Sequence, residues 1–332
     1  MVETPSPGTI ELLGDLPSSS PSKYEIVGRI AEGGYGEVLK VYLKANKNFG
    51  FFALKRTRLE ALKGKITNID FSEIKALKLL ENEVNVVQMI DIIRSNAEFG
   101  IVMELCRADL RRILHNKNIK LTLSDTKNML KQLLTGVAAM HRLRLMHRDL
   151  KPANVLISIT GIVKIADFGS SAMLGNHSHF TVNVCTLWYK CPELLFGHTK
   201  YDEKIDLWGM GLIAAEFWYR QPALFKGNDN MEQMEKISAV CGFCSNEIWP
   251  GAKEFPNYAV YSKKMSKYKA NKLKSHLSKF IKKDAVAVAF VEKFLQLYPG
   301  DRMTAEEALE DEFFTTGPEP SFDLYHILDR IS

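Results

Sequence analysis

Three scarcities narrow what this chain can be. No apolar run in its 332 residues approaches the roughly 18 needed to cross a bilayer as a helix. Cysteine is sparse and odd in number, at 106, 185, 191, 241 and 244, which suits a reducing compartment rather than a disulfide-stapled domain. Cys241 and Cys244 have the spacing of a zinc or redox pair, but no second Cys/His pair stands at ligand spacing, so both are expected buried at a helix end. The first twenty residues lack the basic start and apolar centre of a secretion signal. Pro5, Pro7, Gly8, Pro17 and three successive serines read instead as a disordered tail, taken as residues 1–22, and an intracellular address is expected. Acid is absent from 263–283, where nine lysines fall. On a chain of net charge +5 that is ordinarily a solvated face, with an acidic or nucleic-acid partner as the alternative.

With 46% hydrophobic and 25% charged residues, the composition is that of a soluble globular protein, too long for one ordinary core. Two lobes with a cleft between them are expected, a shape that suits a nucleotide. From Lys23 the pattern is β-rich: Tyr24–Val27, Val38–Tyr42 and Phe51–Lys55, with glycines between the first two. Ile74, Leu77 and Leu80 then recur at helical spacing, with Thr67 and Asp70 as start signals, and Gly100–Met103 reads as a strand leaving the small lobe. Beyond Arg107 helical periodicity dominates, with Ser124 as an N-cap for a stripe of Leu130, Leu133, Leu134, Val137 and Met140. A second apolar helix opens at Ile205, and the chain after Pro318 reads as a tail on the surface. The fold class is therefore α+β, with lobes at 23–104 and 105–316 and a C-terminal tail at 317–332.

Chemistry concentrates in His147-Arg148-Asp149-Leu150-Lys151-Pro152-Ala153-Asn154, with Asp167-Phe168-Gly169 following eighteen residues after Asp149. Phosphoryl transfer needs a carboxylate at the attacking hydroxyl and oxygen ligands for magnesium on the phosphates. Asp149 fits the first need, Asn154 and Asp167 the second. Upstream, Ala31-Glu32-Gly33-Gly34-Tyr35-Gly36-Glu37-Val38 sits between two strands, where glycines let backbone amides approach phosphates. Taken alone it is as readily an ordinary hairpin. Lys55 and Glu73, read singly, are as readily a surface lysine and a solvated helix glutamate. Their order along the chain, with Cys191-Pro192-Glu193 after them, is what chance does not supply.

This set resembles the catalytic signature of the Ser/Thr protein kinases. The resemblance implies a bilobal kinase fold, a small β-rich lobe with one main helix and a larger helical lobe, using ATP and Mg2+. Lys55, paired with Glu73, would hold the α- and β-phosphates, and Lys151 would stabilise charge on the transferring group. Val184-Cys185-Thr186-Leu187-Trp188-Tyr189-Lys190 looks like the substrate loop of the cyclin-dependent kinase family, and the likeness runs from about Tyr24 to Pro320. Leu121–Ser124, Ala153–Ile157 and Ile205–Gly209 look most like its cyclin-T-dependent transcription-elongation branch. The likeness puts Met103 behind the adenine, with Glu104 and Cys106 giving hinge backbone hydrogen bonds and Asp109 at the pocket mouth. Ile30, Ala31, Glu32, Gly33, Gly34, Tyr35, Gly36 and Val38 cover the nucleotide, with Ala53 and Leu156 completing the pocket. The activation segment is 167–193, Thr181 takes the place of an activating phosphothreonine, and Glu193 and Arg302 match a buried ion pair.

Departures from the family are informative. The three arginines that hold the phosphothreonine there read Ser72, Arg148 and Ala172 here, so a phosphate at Thr181 is expected to order the loop much less. Lys190 lacks the planar fork of the arginine it replaces, which relaxes selection for a following proline. Gly34 removes an inhibitory threonine, while Tyr35 keeps the neighbouring regulatory site. The function expected is a cyclin-dependent Ser/Thr kinase, nuclear or also cytoplasmic, acting on Ser/Thr-Pro sites such as the RNA polymerase II repeat tail. The expected partner is a cyclin, with no membrane and no need for direct nucleic-acid binding. The alternatives are a cell-cycle or kinase-activating enzyme, or a silent kinase-fold scaffold. Thr4-Pro5, Ser6-Pro7 and Ser20-Pro21 are candidate phosphoacceptors or incidental tail residues.

Overall fold

Alternation of side chains lays down the small lobe. The computed structural model describes residues 18–33, 36–58, 68–95, 98–175, 179–282 and 284–331. Gly34, Tyr35 and Thr67, and the tail sites at Thr4-Pro5 and Ser6-Pro7, lie outside them. Strands β1 (Tyr24–Gly33), β2 (Gly36–Leu43), β3 (Phe51–Arg58), β4 (Met89–Arg94) and β5 (Glu98–Glu104) form one antiparallel sheet in the order β1-β2-β3-β5-β4. On one face Leu39, Val41 and Leu54 close a small apolar cluster with Tyr24, Ile93 and Val102. Residues in register on the other face, Val38 opposite Lys55 opposite Ile101, and Ala53 opposite Met103, look into the space between the lobes. Gly36 is required at the hairpin, since a Cβ there would stand 2.2 Å from the Arg56 carbonyl oxygen.

Helix α1 (Asn68–Leu79) packs under this face through Ile74, Ala76 and Leu77, whose cluster continues through Met103 into the large lobe. After the hinge come β6 (Cys106–Asp109), α2 (Leu110–His115) and α3 (Leu123–Arg142), then β7 (Leu145–Met146), β8 (Val155–Ser158) and β9 (Val163–Ile165), with β6-β8-β9 as a second sheet. Strand β10 (Ala172–Met173) pairs with β7. The cap of α3 is Thr122, not Ser124: its hydroxyl accepts from the Asp125 N–H while the Asp125 carboxylate accepts from the Thr122 N–H. A Thr with an acid three positions on forms a reciprocal box, which Ser124 cannot.

Then follow α4 (Pro192–Leu195), α5 (Lys204–Tyr219), α6 (Asn230–Cys241), α7 (Tyr258–Met265), α8 (Leu273–Leu277), α9 (Ala285–Phe294), α10 (Ala305–Leu309), α11 (Glu312–Thr315) and α12 (Tyr325–Leu328). Every residue of α5 from Ile205 to Phe217 is buried, as befits a helix apolar all round at the centre of a lobe. Cys241 and Cys244 are buried where α6 ends, and the described lysines of 263–282 are all exposed, the solvated face that was expected. All five cysteines are free, and no helix among the described residues is long and apolar enough to cross a membrane.

The N-terminal tail is shorter than expected. Ser19 is not in a loose tail: its N–H donates to the Ile92 carbonyl at 2.8 Å, its carbonyl accepts from Arg94, and Lys23 pairs with Asp91 at 2.6 Å. The C-terminal stretch lies on the surface as expected, but it is anchored there. Leu324, Ile327, Leu328 and Ile331 are buried, and Arg107 donates to the Ile331 carbonyl at 2.9 Å. Their spacing is that of one helical face, and burying it outweighs leaving the segment loose.

Candidate active site

The sheet register delivers Lys55 to the cleft between Val38 and Ile101. Its Nζ lies 2.6 Å from Glu73 Oε2 and 2.8 Å from Asp167 Oδ1, joining β3, α1 and the start of the activation segment. Glu73 is buried, whereas the Asp167 side chain is 49% exposed and so open to a ligand. Burial by itself would lower the Lys55 pKa, but the charges of Glu73 and Asp167 outweigh it and hold the ammonium well above its usual value. Burial likewise tends to raise Asp167, and the Lys55 charge beside it turns the net shift downward. Both groups are charged at any physiological pH. Asp167 has φ 64°, ψ 67°, a left-handed conformation rare outside glycine and costing roughly 1–3 kcal/mol, kept by the burial of Phe168 next to it.

Asp149 sits on the loop between β7 and β8, and that loop hangs from α5. Asp206 is buried and accepts from the backbone N–H of His147 and of Arg148, each at 2.8 Å, and lies 3.1 Å from His141 Nε2. Although burial opposes it, the hydrogen bond and charge from His141 keep this carboxyl below the usual range. A buried acid in an apolar helix was the available signal for Asp206, which the sequence reading passed over. Asp149 Oδ2 is 2.5 Å from Lys151 Nζ, and Oδ1 accepts from both the N–H and the hydroxyl of Thr186, each at 2.8 Å. Lys151 also reaches Thr186 Oγ1 at 2.7 Å. Asn154 Nδ2 donates to the Asp149 carbonyl at 2.9 Å, which fixes the amide beside the carboxylate.

The nucleotide side is assembled around the same cleft. Ala31 lies in extended β1 opposite Val38, where a Cβ is tolerated and glycine is not needed. Ile30 and Glu32 on the same strand are exposed, and Gly33 faces Gly36 at the tip of the hairpin. Met103 lines the back wall opposite Ala53. The Glu104 N–H is spent on the Gln88 carbonyl, so a hydrogen bond from its backbone to a nucleotide has to use the carbonyl. Its side chain is pinned by Lys164 and the Gln88 N–H, each at 2.8 Å. Burial and the Glu104 charge push the Cys106 thiol up to about 12, leaving it protonated. Asp109 caps α2 through Arg112, opposite Leu156 on β8.

Asp167 and Asn154 offer hard oxygen donors, which fits Mg2+. Among the described residues there is no cluster of three or more His, Cys, Asp or Glu, so the remaining ligands of such an ion would come from phosphate and water, the usual arrangement for magnesium on a nucleotide.

The activation segment ends in a buried bidentate pair, Glu193 with Arg302 at 2.5 and 2.8 Å. Lys190 is buried, and Cys185 before Thr186 has φ 69°. Thr181 is exposed; Arg148 does not reach for it but donates to the carbonyls of Ser170 and Ser171.

Comparison with known proteins shows what this chain is similar to. The protein kinase domain model matches residues 24–314. The chain is 38% identical to zebrafish (Danio rerio) cyclin-dependent kinase 9 over 323 residues, which is 92% of this chain and 84% of that one. It is also 38% identical to the human protein of that name, over 90% of this chain and 82% of that one. Among solved structures, the yeast RNA Pol II CTD kinase CTDK-1 complex contains a chain that superposes with TM-score 0.80 at 27% identity, covering 92% of this chain and 97% of that one. The CAK complex from Chaetomium thermophilum, bound to ATP-gamma-S, gives TM-score 0.79 at 28% identity, covering 96% and 97%.

Proposed function

Because this chain belongs to the protein kinase family, and within it to the cyclin-dependent kinases, we propose that it transfers the γ-phosphate of ATP to Ser/Thr-Pro sites in the repeat tail of RNA polymerase II. Asp149 orients the attacking hydroxyl and accepts its proton, and Lys151 stabilises the charge spread over the transferring group. Lys55, kept charged by Glu73, holds the α- and β-phosphates. Asn154 and Asp167 hold magnesium, which supplies electrostatic neutralisation of the phosphate oxygens. The nucleotide base lies between the glycine hairpin, Ala53, Met103 and Leu156, against the Glu104 and Cys106 backbone, with Asp109 at the mouth.

One observation carries the reading: Lys55 contacts Glu73 and Asp167 at once, while Asp149 is already set against Lys151 and Thr186. A silent scaffold gives no reason for Lys55, Glu73, Asp149 and Asp167 to be held together in one cleft. The transcriptional role is supported by the likeness to cyclin-dependent kinase 9 and to a polymerase tail kinase. A cyclin of the T type is the partner this favours, and the nucleus the place of action. The test is phosphate transfer to a Ser-Pro repeat peptide with and without candidate cyclins. Labelling that rises with one cyclin supports the reading; no labelling with any of them contradicts it.

A further inference from the structure

The segment that carries Thr181 is held by contacts that involve no phosphate. Tyr201, between α4 and α5, is 5% exposed, and its hydroxyl donates to the Thr181 carbonyl at 2.6 Å. The same hydroxyl accepts from Arg148 Nη1 at 3.3 Å. Arg148 adjoins Asp149, and its own N–H is fixed by Asp206. One short path therefore runs from α5 through the catalytic loop and Tyr201 to the backbone at Thr181. The neighbouring residues close the same joint. The Phe180 ring lies 5.3 Å from that of Tyr201, the Phe180 N–H donates to the Thr199 carbonyl at 2.8 Å, and His179 Nδ1 is 2.6 Å from Thr199 Oγ1. The Thr181 hydroxyl is engaged locally, accepting from the Asn183 N–H at 3.2 Å.

A phosphate at Thr181 would find little prepared for it. Three nitrogens of the Arg148 guanidinium already donate, to Ser170, Ser171 and Tyr201. Arg144 is committed to the Leu174 carbonyl. Phosphorylation orders a loop by creating new charge-assisted bonds, and a guanidinium with three of its five donors already engaged in an existing joint has fewer to offer.

We propose that Tyr201 is the positioning residue that holds the substrate platform in working geometry, so that the enzyme is active with Thr181 unphosphorylated. This rests on the kinase reading. Tyr201 touches no reacting atom; it acts through Thr181 and Arg148 on the segment that ends at Thr186.

The test uses the full chain with its cyclin, treated with phosphatase and shown by mass spectrometry to lack phosphate at Thr181. The unphosphorylated wild type and Thr181→Ala are expected within about twofold of phosphorylated enzyme. Tyr201→Phe keeps the ring and loses the hydroxyl. It should raise the peptide KM, and lower kcat/KM for peptide by about tenfold, the worth of one good hydrogen bond, with the KM for ATP unchanged. Faster amide exchange confined to 179–186 would accompany it. Activity that falls tenfold or more on dephosphorylation, or in Thr181→Ala, overturns the inference, as does full activity in Tyr201→Phe. Should Tyr201→Phe not fold, the phosphatase and Thr181→Ala arms still decide. A chain inactive in every form contradicts the kinase reading, whereas one active only with phosphate on Thr181 contradicts this inference alone.

Discussion

Thr186 gives Asp149 both its backbone N–H and its hydroxyl, and both go to the same oxygen, Oδ1, at 2.8 Å. The loop at Thr186 and the carboxylate of Asp149 are therefore one hydrogen-bonded unit, with Lys151 bridging the two side chains. Thr186→Val keeps the shape and removes the hydroxyl. A hydrogen bond to a charged group contributes about 1.5–3 kcal/mol, so kcat should fall by about tenfold to a hundredfold. Steady-state kinetics with ATP and peptide varied separately check this, and the KM for ATP should stay constant.

Arg302 and Glu193 are both fully buried, and Arg302 also donates to the carbonyls of Gln296 and Lys204. Removing one partner leaves the other charge stranded, so Arg302→Met should cost about 3–5 kcal/mol of stability. Thermal unfolding should show a melting temperature lower by several degrees. Catalysis by the fraction that remains folded should change far less.

Glu216 on α5 is buried and accepts from the Tyr189 hydroxyl at 2.5 Å. Burial pushes its carboxyl up to about 7, the Tyr189 hydrogen bond offsetting this only in part. His115, 3.3 Å away, brings no compensating charge near neutrality, because burial and the charges of Arg111 and Arg220 depress it. A raised carboxyl means that the folded state binds the proton more tightly than the unfolded state. Stability therefore declines as pH rises from the ordinary carboxylate value to about 7, by on the order of 3 kcal/mol, and is level above that. Glu216→Gln should abolish this slope, which denaturant unfolding between pH 5 and 8 would reveal.

The chemistry was more legible in the sequence than the ends of the chain were. Lys55, Glu73, Asp149, Asn154 and Asp167 are the residue types the proposed reaction asks for, with few alternatives at each position, and the fold brings all five to one cleft. The cap at Thr122 was misplaced because single-residue preference favours Ser124, while the deciding signal is the pairing with Asp125. The burial of Leu324, Ile327, Leu328 and Ile331 was missed because a four-residue helix is too short to announce itself, and its apolar spacing gains meaning only beside the surface it covers. Asp206 and Tyr201 were illegible for a related reason. Their partners lie 20 to 65 residues away, and the one local mark, an acid inside the apolar run of α5 at Asp206, does not say which loop it holds.

The most direct test is single-turnover phosphate transfer from ATP to a Ser-Pro repeat peptide, comparing the wild type with Asp149→Asn in the presence of the cyclin. Asn keeps the shape and, through its one oxygen, the bonds from Thr186, while losing the Lys151 ion pair and the proton acceptor. The variant should bind ATP and magnesium as the wild type does, yet transfer at least about a hundredfold more slowly, in the range that general-base catalysis contributes. Transfer by Asp149→Asn at the wild-type rate would contradict the assignment on which the whole site is built.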